Sequence, residues 1–228
     1  MDVRKVTDEF LKTAFDVECG SRASRQLGEI ARLLTPCRGT SAAIERDREQ
    51  IVFVASGATK LVASASDNRE QVVAFHFGGD IISIPADGMH AYTLFALADS
   101  TLLIFPASEF KACALSHPAV LRAMLERTQT ALYRCRDKAV DLGRKNAKER
   151  LAGFLVAMSE RIGRTANGKC RIELPMSRRD IGDSLGLTIE TISRQFSELK
   201  QAGLIVTEGR SGVTVQDPAK LLTMAGHI

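Results

Sequence analysis

A chain of 228 residues is long enough for two modest domains, and its 45% apolar and 25% charged residues match ordinary globular protein. That balance excludes a disordered, a collagen-like and a disulfide-scaffold chain. The 31 Lys and Arg against 27 Asp and Glu leave a formal net charge of +4, which by itself points to no polyanion, so a nucleic-acid reading has to rest on motif and geometry. The start, Met1 to Lys5, is charged and leads into no apolar signal region, and nowhere do about 18 apolar residues run together. A cytoplasmic protein with no membrane association is expected. Cys19, Cys37, Cys113, Cys135 and Cys170 are scattered singly, without a C-x-x-C pair or a histidine at zinc-finger spacing. They read as reduced thiols, most of them packing residues.

From about Ile51 to Pro106 short β-like runs alternate with turn signals. Ile51 to Val54, Gly57, Thr59 to Val62, the Asp67-Asn68 turn, Gln71 to Phe77 and Gly78-Gly79 come first. Ile81-Ile82, the Pro85 to Gly88 turn, Tyr92 to Phe95, Asp99-Ser100 and Leu102 to Phe105 follow. Several short strands at such spacing predict an antiparallel barrel or sandwich.

After Ser116-His117-Pro118 the period changes, because a proline in the first turn starts a helix well. Leu121, Leu125, Thr128, Leu132, Cys135, Ala139 and Leu142 alternate steps of four and three. A stripe of that kind is a coiled-coil seam, and its thin line of apolar contact needs a partner helix. The simplest partner is the same helix of a second subunit; the alternative is that the helix packs on the β domain. Gly143 is expected to break the helix. A second amphipathic helix then carries Ala147, Leu151, Phe154, Leu155, Met158 and Ile162 on one face. Asn167-Gly168 marks a turn before a short strand around Cys170 to Leu174.

Residues 175 to 204 read as two helices and the turn between them. Ser177 with Asp180 three residues on resembles a capping box, with Ile181 and Leu185 as the buried face of the first helix and Gly186 as its end. Leu187 anchors the turn and Thr188 is a natural N-cap for the second helix, whose inward face is Ile192, Phe196 and Leu199. Glu190, Thr191, Ser193, Arg194 and Gln195 then lie on or beside its outward face. In a helix-turn-helix that is where base edges in the major groove are met. Arg194 can donate twice to a guanine, Glu190 can accept from a cytosine or adenine amino group, and Ser193 is adaptable. Ser177 and Thr188, with Arg178 and Arg179, are placed to hold phosphates, with Thr191 beside them. After Gly203, Leu204 to Val206 and Val213 to Val215 flank Gly209 to Gly212 as a two-stranded wing. Double-stranded DNA is the expected partner.

The stretch from Asn146 (Asn-Ala-Lys-Glu-Arg-Leu-Ala-Gly-Phe-Leu) through Arg-Arg-Asp-Ile-Gly-Asp-Ser-Leu-Gly-Leu-Thr-Ile-Glu-Thr-Ile-Ser-Arg to Ala225-Gly226-His227 resembles the FNR and FixK branch of the CRP/FNR regulators. The order of elements fits that family over nearly the whole chain. The resemblance implies an α+β chain with an antiparallel β-roll of the cyclic-nucleotide-binding kind over 1–115, a dimerisation helix over 116–143 and a winged helix-turn-helix over 144–228. It implies a homodimeric activator that touches RNA polymerase and controls genes of low-oxygen metabolism, respiratory or nitrogen-fixing. The positions matching Glu190, Ser193 and Arg194 read TTGAT-type half-sites in that branch, and Ile189 stands where cAMP-binding relatives carry a further arginine.

The chain departs from the family's sensing patterns. Gly79-Asp80 and His90-Ala91 replace the Gly-Glu and Arg-Ser that clamp a cyclic-nucleotide phosphate, which removes the fixed cation and hydroxyl. Only Cys19 lies near the N-terminal cysteines that hold an iron–sulfur cluster in the oxygen sensors, so four thiolates are not assembled. His76, His90, His117 and His227 are far apart in sequence and suggest no metal. No cofactor is expected. Cys170, just before the helix-turn-helix, is the candidate for a redox-active thiol, against its reading as a small residue ending a strand. The alternative to a plain activator is a regulator gated by a small molecule in the β-roll or by thiol oxidation. No nucleophile elbow, Walker loop or paired-carboxylate pattern supports an enzyme.

Overall fold

The computed structural model describes residues 3–16, 18, 20–64, 70–86 and 90–226. The Asp67-Asn68 turn, Gly88, Cys19 and His227 lie outside the described residues. By compactness the chain divides into Met1–Tyr133 and Arg134–Ile228, a division that falls inside the long helix.

The first unit opens with two helices ahead of the expected strands, α1 (Val3–Phe15) and α2 (Arg22–Ile30). Seven strands follow: β1 (Arg32–Leu34), β2 (Gln50–Ser56), β3 (Ala58–Ser64), β4 (Glu70–Phe77), β5 (Ile81–Ile84), β6 (Ala91–Ala96) and β7 (Thr101–Pro106). They form two antiparallel sheets, β1-β7-β2-β5 and β4-β3-β6. The central strands β2 and β7 are buried on both faces, which is why they read as unbroken apolar runs. Val52, Val54, Leu102 and Ile104 point to one cluster with Leu61 and Leu94 of the other sheet. Their alternating neighbours Ile51, Phe53, Leu103 and Phe105 point to a second cluster, closed by α1, α2 and α3 (Ala107–Leu115). Phe10 of α1 is central there: its ring centroid is 4.3 Å from that of Phe53 and 4.9 Å from that of Phe15.

The long helix α4 spans Pro118–Arg144. Gly143 does not end it as expected. The break comes at Lys145-Asn146, because Asn146 starts the next helix with a full capping box: its side chain accepts from Lys148 N and Glu149 N, and Glu149 accepts from Asn146 N. In its first half α4 carries two stripes, not one. Val120, Ala123 and Met124 join the α1–α3 core, and Arg127 donates to Ala14 O at 3.2–3.3 Å and to Gly79 O at 3.1 Å. Leu121, Leu125, Thr128 and Leu132 face the other way and are exposed.

In the second unit α5 (Ala147–Ile162) buries Leu151, Phe154, Leu155 and Met158. β8 (Arg164–Ala166), also absent from the sequence reading, pairs with β9 (Lys169–Glu173) across Asn167 and Gly168, both at positive φ as a tight hairpin requires. α6 (Arg178–Leu185) and α7 (Ile189–Gln201) come next, then β10 (Ile205–Glu208), β11 (Gly212–Val215) and α8 (Pro218–Met224). The expected two-stranded wing is the outer part of a four-stranded sheet, β10-β11-β9-β8, because β11 pairs with β9 from Gly212↔Glu173 to Val215↔Cys170. No helix among the described residues is long and apolar enough to cross a membrane.

Candidate nucleic-acid interface

The two helices of the site are fixed by local chemistry before any tertiary contact is counted. Ser177 caps α6: its hydroxyl accepts from Asp180 N at 3.1 Å, while Asp180 Oδ2 accepts from Ser177 N at 2.8 Å and from the hydroxyl at 2.7 Å. An aspartate thus closes the box that usually takes a glutamate. Gly186 ends the helix at φ 65°, a left-handed turn open to glycine at little cost. Gly182 is needed for a different reason. Leu187 N donates to Gly182 O at 3.0 Å, and a Cβ on Gly182 would lie 2.6 Å from Leu187 O. The turn therefore folds back against α6 with no room for a side chain.

Thr188 caps α7 by accepting from Thr191 N at 3.2 Å. Ile192, Phe196 and Leu199 are buried as the sequence predicts. Gln195 corrects the sequence reading, which set it on or beside the outward face. It is buried, since it falls three residues after Ile192 and four before Leu199 on the same stripe. Its Nε2 donates to Glu198 Oε1 at 3.2 Å, and its Oε1 finds no hydrogen-bond partner among the described residues. Glu190, Ser193 and Arg194 are exposed on the opposite side, with Ile189 also exposed and Thr191 half-buried.

The three polar groups present different chemistry to a ligand. The Glu190 carboxylate is held below the usual carboxylate range by its own backbone N–H and by the Thr188 hydroxyl, so it is an acceptor at neutral pH. Ser193 Oγ donates to Ile189 O at 2.8 Å, which spends its proton inside the helix and leaves its oxygen to accept. Arg194 makes no hydrogen bond or ion pair to a described residue, so its donors point outward uncommitted.

The residues expected at phosphates divide. Arg179 is largely exposed and lies 3.9 Å from Asp183 Oδ2. Arg178 is half-buried with its guanidinium carbon 3.1 Å from the centre of the Phe196 ring, and burial lowers its pKa to about 10, which leaves it cationic. It staples α6 to α7, a role with no sequence signal because it depends on where the two helices meet. The amide and hydroxyl protons of Ser177 are both committed to Asp180, so it can donate to a phosphate only by giving one of them up.

Along α4, Leu121, Leu125 and Leu132 are 45%, 60% and 47% exposed. Thr128, Cys135 and Ala139 are exposed beside them, and Thr128 turns its hydroxyl to Met124 O at 2.8 Å. Leu142 differs from the rest of the seam. It is half-buried, and its Cδ2 lies 3.6 Å from where a Cβ on Gly186 would stand. Cys170 is buried, its thiol directed at Ser159 O at 3.8 Å and packed where a side chain on Gly163 would go. That is the environment of a packing residue, with the sulfur out of contact with solvent.

Comparison with known proteins gives a consistent set of likenesses. A Crp-like helix-turn-helix domain model matches residues 149–224. The chain is 35% identical over 211 residues to the nitrogen fixation regulation protein FixK of Bradyrhizobium diazoefficiens, covering 91% of this chain and 89% of that protein. It is 34% identical over 180 residues to the transcriptional activator protein FnrL of Cereibacter sphaeroides, covering 77% and 73%. Among solved structures it resembles FixK2 from Bradyrhizobium japonicum, with a TM-score of 0.76 and 30% identity over 87% of this chain and 99% of that one.

Proposed function

Because this chain belongs to the CRP/FNR family of DNA-binding transcription regulators, in its FixK-like branch, we propose that it works in the cytoplasm as a homodimer that reads a TTGAT-type palindrome and activates genes of low-oxygen metabolism. The family is one of regulators and not of enzymes. The observation that carries the finer reading is the outward face at the start of α7, where an uncommitted arginine, a carboxylate acceptor and a hydroxyl acceptor stand together on a helix whose other face is fully buried. Arg194 supplies paired donors for guanine O6 and N7. Glu190 and Ser193 accept from cytosine N4 or adenine N6, and Ile189 offers an apolar contact. Arg179 and the caps at Ser177 and Thr188, with Thr191, set the register on the backbone, while Arg178 serves chiefly through α6–α7 packing.

Two copies paired along Leu121, Leu125, Thr128, Leu132, Cys135 and Ala139, with Leu142 shared between the seam and its own unit, would set the recognition helices about 34 Å apart, one turn of DNA. Contact with RNA polymerase completes the activator reading.

The test is binding of the purified, reduced, metal-free protein to a TTGAT palindrome and to a scrambled duplex at fixed salt, with and without Arg194→Ala. The wild type is expected to select the palindrome with no ligand added. Arg194→Ala is expected to weaken the palindrome by about 1–3 kcal/mol with little change on the scrambled duplex. Equal losses on both duplexes would remove Arg194 from base reading. A concavity of about 270 Å³ lined by residues 41–46, 84–86 and 90–94, among them Arg46, His90 and Tyr92, marks where a small-molecule effector would sit in the alternative reading. Wild-type protein that selects the palindrome only after such a ligand is added would establish that reading instead.

A further inference from the structure

Arg150 sits in the second turn of α5 and directs its whole guanidinium at backbone. Nε donates to Lys145 O at 2.8 Å, Nη2 to Leu142 O at 2.8 Å and Nη1 to Leu185 O at 3.0 Å. These acceptors belong to the ends of two different helices. Leu142 is in the last turn of α4 and Lys145 just beyond it, while Leu185 is the final residue of α6. Carbonyls at a helix C-terminus have no amide partner four residues on, and the negative end of the helix dipole favours a cation there. One planar fork thus answers the orphan acceptors of both helices, which a single-headed lysine ammonium cannot do in the same geometry.

Neighbouring contacts tighten the junction. A Cβ on Gly186 would lie 3.7 Å from Arg150 Nη1 and 3.6 Å from Leu142 Cδ2, so the turn that ends α6 is packed on the fork. Lys138, a turn back on α4, donates to Ser184 Oγ at 3.1 Å, and Lys145 pairs back with Asp141 in the last turn of α4 at 2.7 Å. All of these residues lie within Arg134–Ile228. Because α6 is stapled to α7 by Arg178 on Phe196 and by the Gly182–Leu187 turn, whatever fixes α6 to the end of α4 also fixes the recognition helix.

We infer that Arg150 is a positioning residue for DNA recognition: with Lys138 in support, it sets the angle between the end of α4 and the helix-turn-helix, and so the separation of the two recognition helices in a dimer. This rests on the palindrome reading above. Arg150 acts through α6 and not at a base, so its signature is spacing and not sequence.

The experiment uses the full chain, Arg150→Lys and Lys138→Met, each on the palindrome, on the same palindrome with one base pair inserted at its centre, and on a single half-site. The insertion turns one half-site by about 35° relative to the other. Wild type is expected to prefer the uninterrupted palindrome by about tenfold, the scale of one unfavourable base-pair position. Arg150→Lys is expected to cut that preference below about threefold while half-site affinity holds, with Lys138→Met in between. The preference is a ratio within one sample, so partial unfolding cancels, and a role confined to stability would leave it at the wild-type value. Both variants retaining the full ratio would overturn the inference. A wild type indifferent to spacing would instead overturn the palindrome reading, and this inference with it.

Discussion

The two compact units both fix helix ends with polar groups, the first through the Ser21 cap and Arg127 on Ala14 O, but they lean on apolar burial to different degrees. Met1–Tyr133 is organised by apolar burial on both faces of β2 and β7, with Phe10 packed among Phe15, Phe53, Phe105 and Phe110. Arg134–Ile228 has its own apolar stripes on α5 and α7, but the ends of its helices are fixed by polar groups aimed at backbone: the boxes at Asn146 and Ser177, the cap at Thr188 and the three bonds of Arg150. Burial is non-directional and scales with area, whereas a cap or a fork fixes an angle. The difference fits the work proposed for the second unit: a domain that presents three side chains to a groove has to hold its helix ends in place.

The largest break in that comparison comes from the aromatic cluster. Phe10→Ala is expected to cost about 3–5 kcal/mol, the transfer loss plus the cavity left among four rings. Amide exchange should quicken through β2 and β7 while α7 stays protected; equal loss of protection in α7 would show that the two units fold as one. Next in size is the buried amine of Lys138. Burial lowers its pKa to about 8, opposed by Cys135, so between about pH 8 and the ordinary lysine range near 10.4 the unfolded chain holds a proton that the folded chain has released. Stability of the second unit is therefore expected to rise with pH through that window, by on the order of 2 kcal/mol. Denaturant titrations at pH 7.5 and 10 check this. Lys138→Met should flatten the slope, and a wild type with no slope would place the amine in contact with water.

How far the sequence was legible follows the same division. Strands β2 to β7 were legible because apolar runs and turn residues carry them, and the helix-turn-helix was legible because Ser177, Gly186 and Thr188 act on their immediate neighbours. The stripe Val6, Phe10, Leu11 and Ala14 of α1 was equally present but went unread beside the stronger strand signals. Gln195 was misplaced because pattern reading sorts by polarity, and a buried glutamine on an apolar stripe looks like a solvent-facing one. The packing contacts of Arg127, Arg150 and Arg178 could not be read at all. Their partners are backbone carbonyls or a ring brought close only by tertiary structure, and in the sequence an arginine shows a charge with no direction.

The smallest of the expected effects tests the polar unit most directly. Thr188→Ala removes the hydroxyl that accepts from Thr191 N and donates to Thr191 Oγ1, leaving an orphan amide at the start of α7. A lost threonine cap typically costs about 1 kcal/mol. The effect should appear as faster amide exchange in the first turn of α7, with β2 and β7 unchanged. DNA binding should fall by more than the stability loss explains, because Glu190 and Thr191 stand on the helix start that the cap holds in place. Thr188→Ser restores the hydroxyl without the methyl and should recover both readouts. If it recovers stability but not binding, Thr188 contributes its methyl to the DNA face, and the cap is only half of its role.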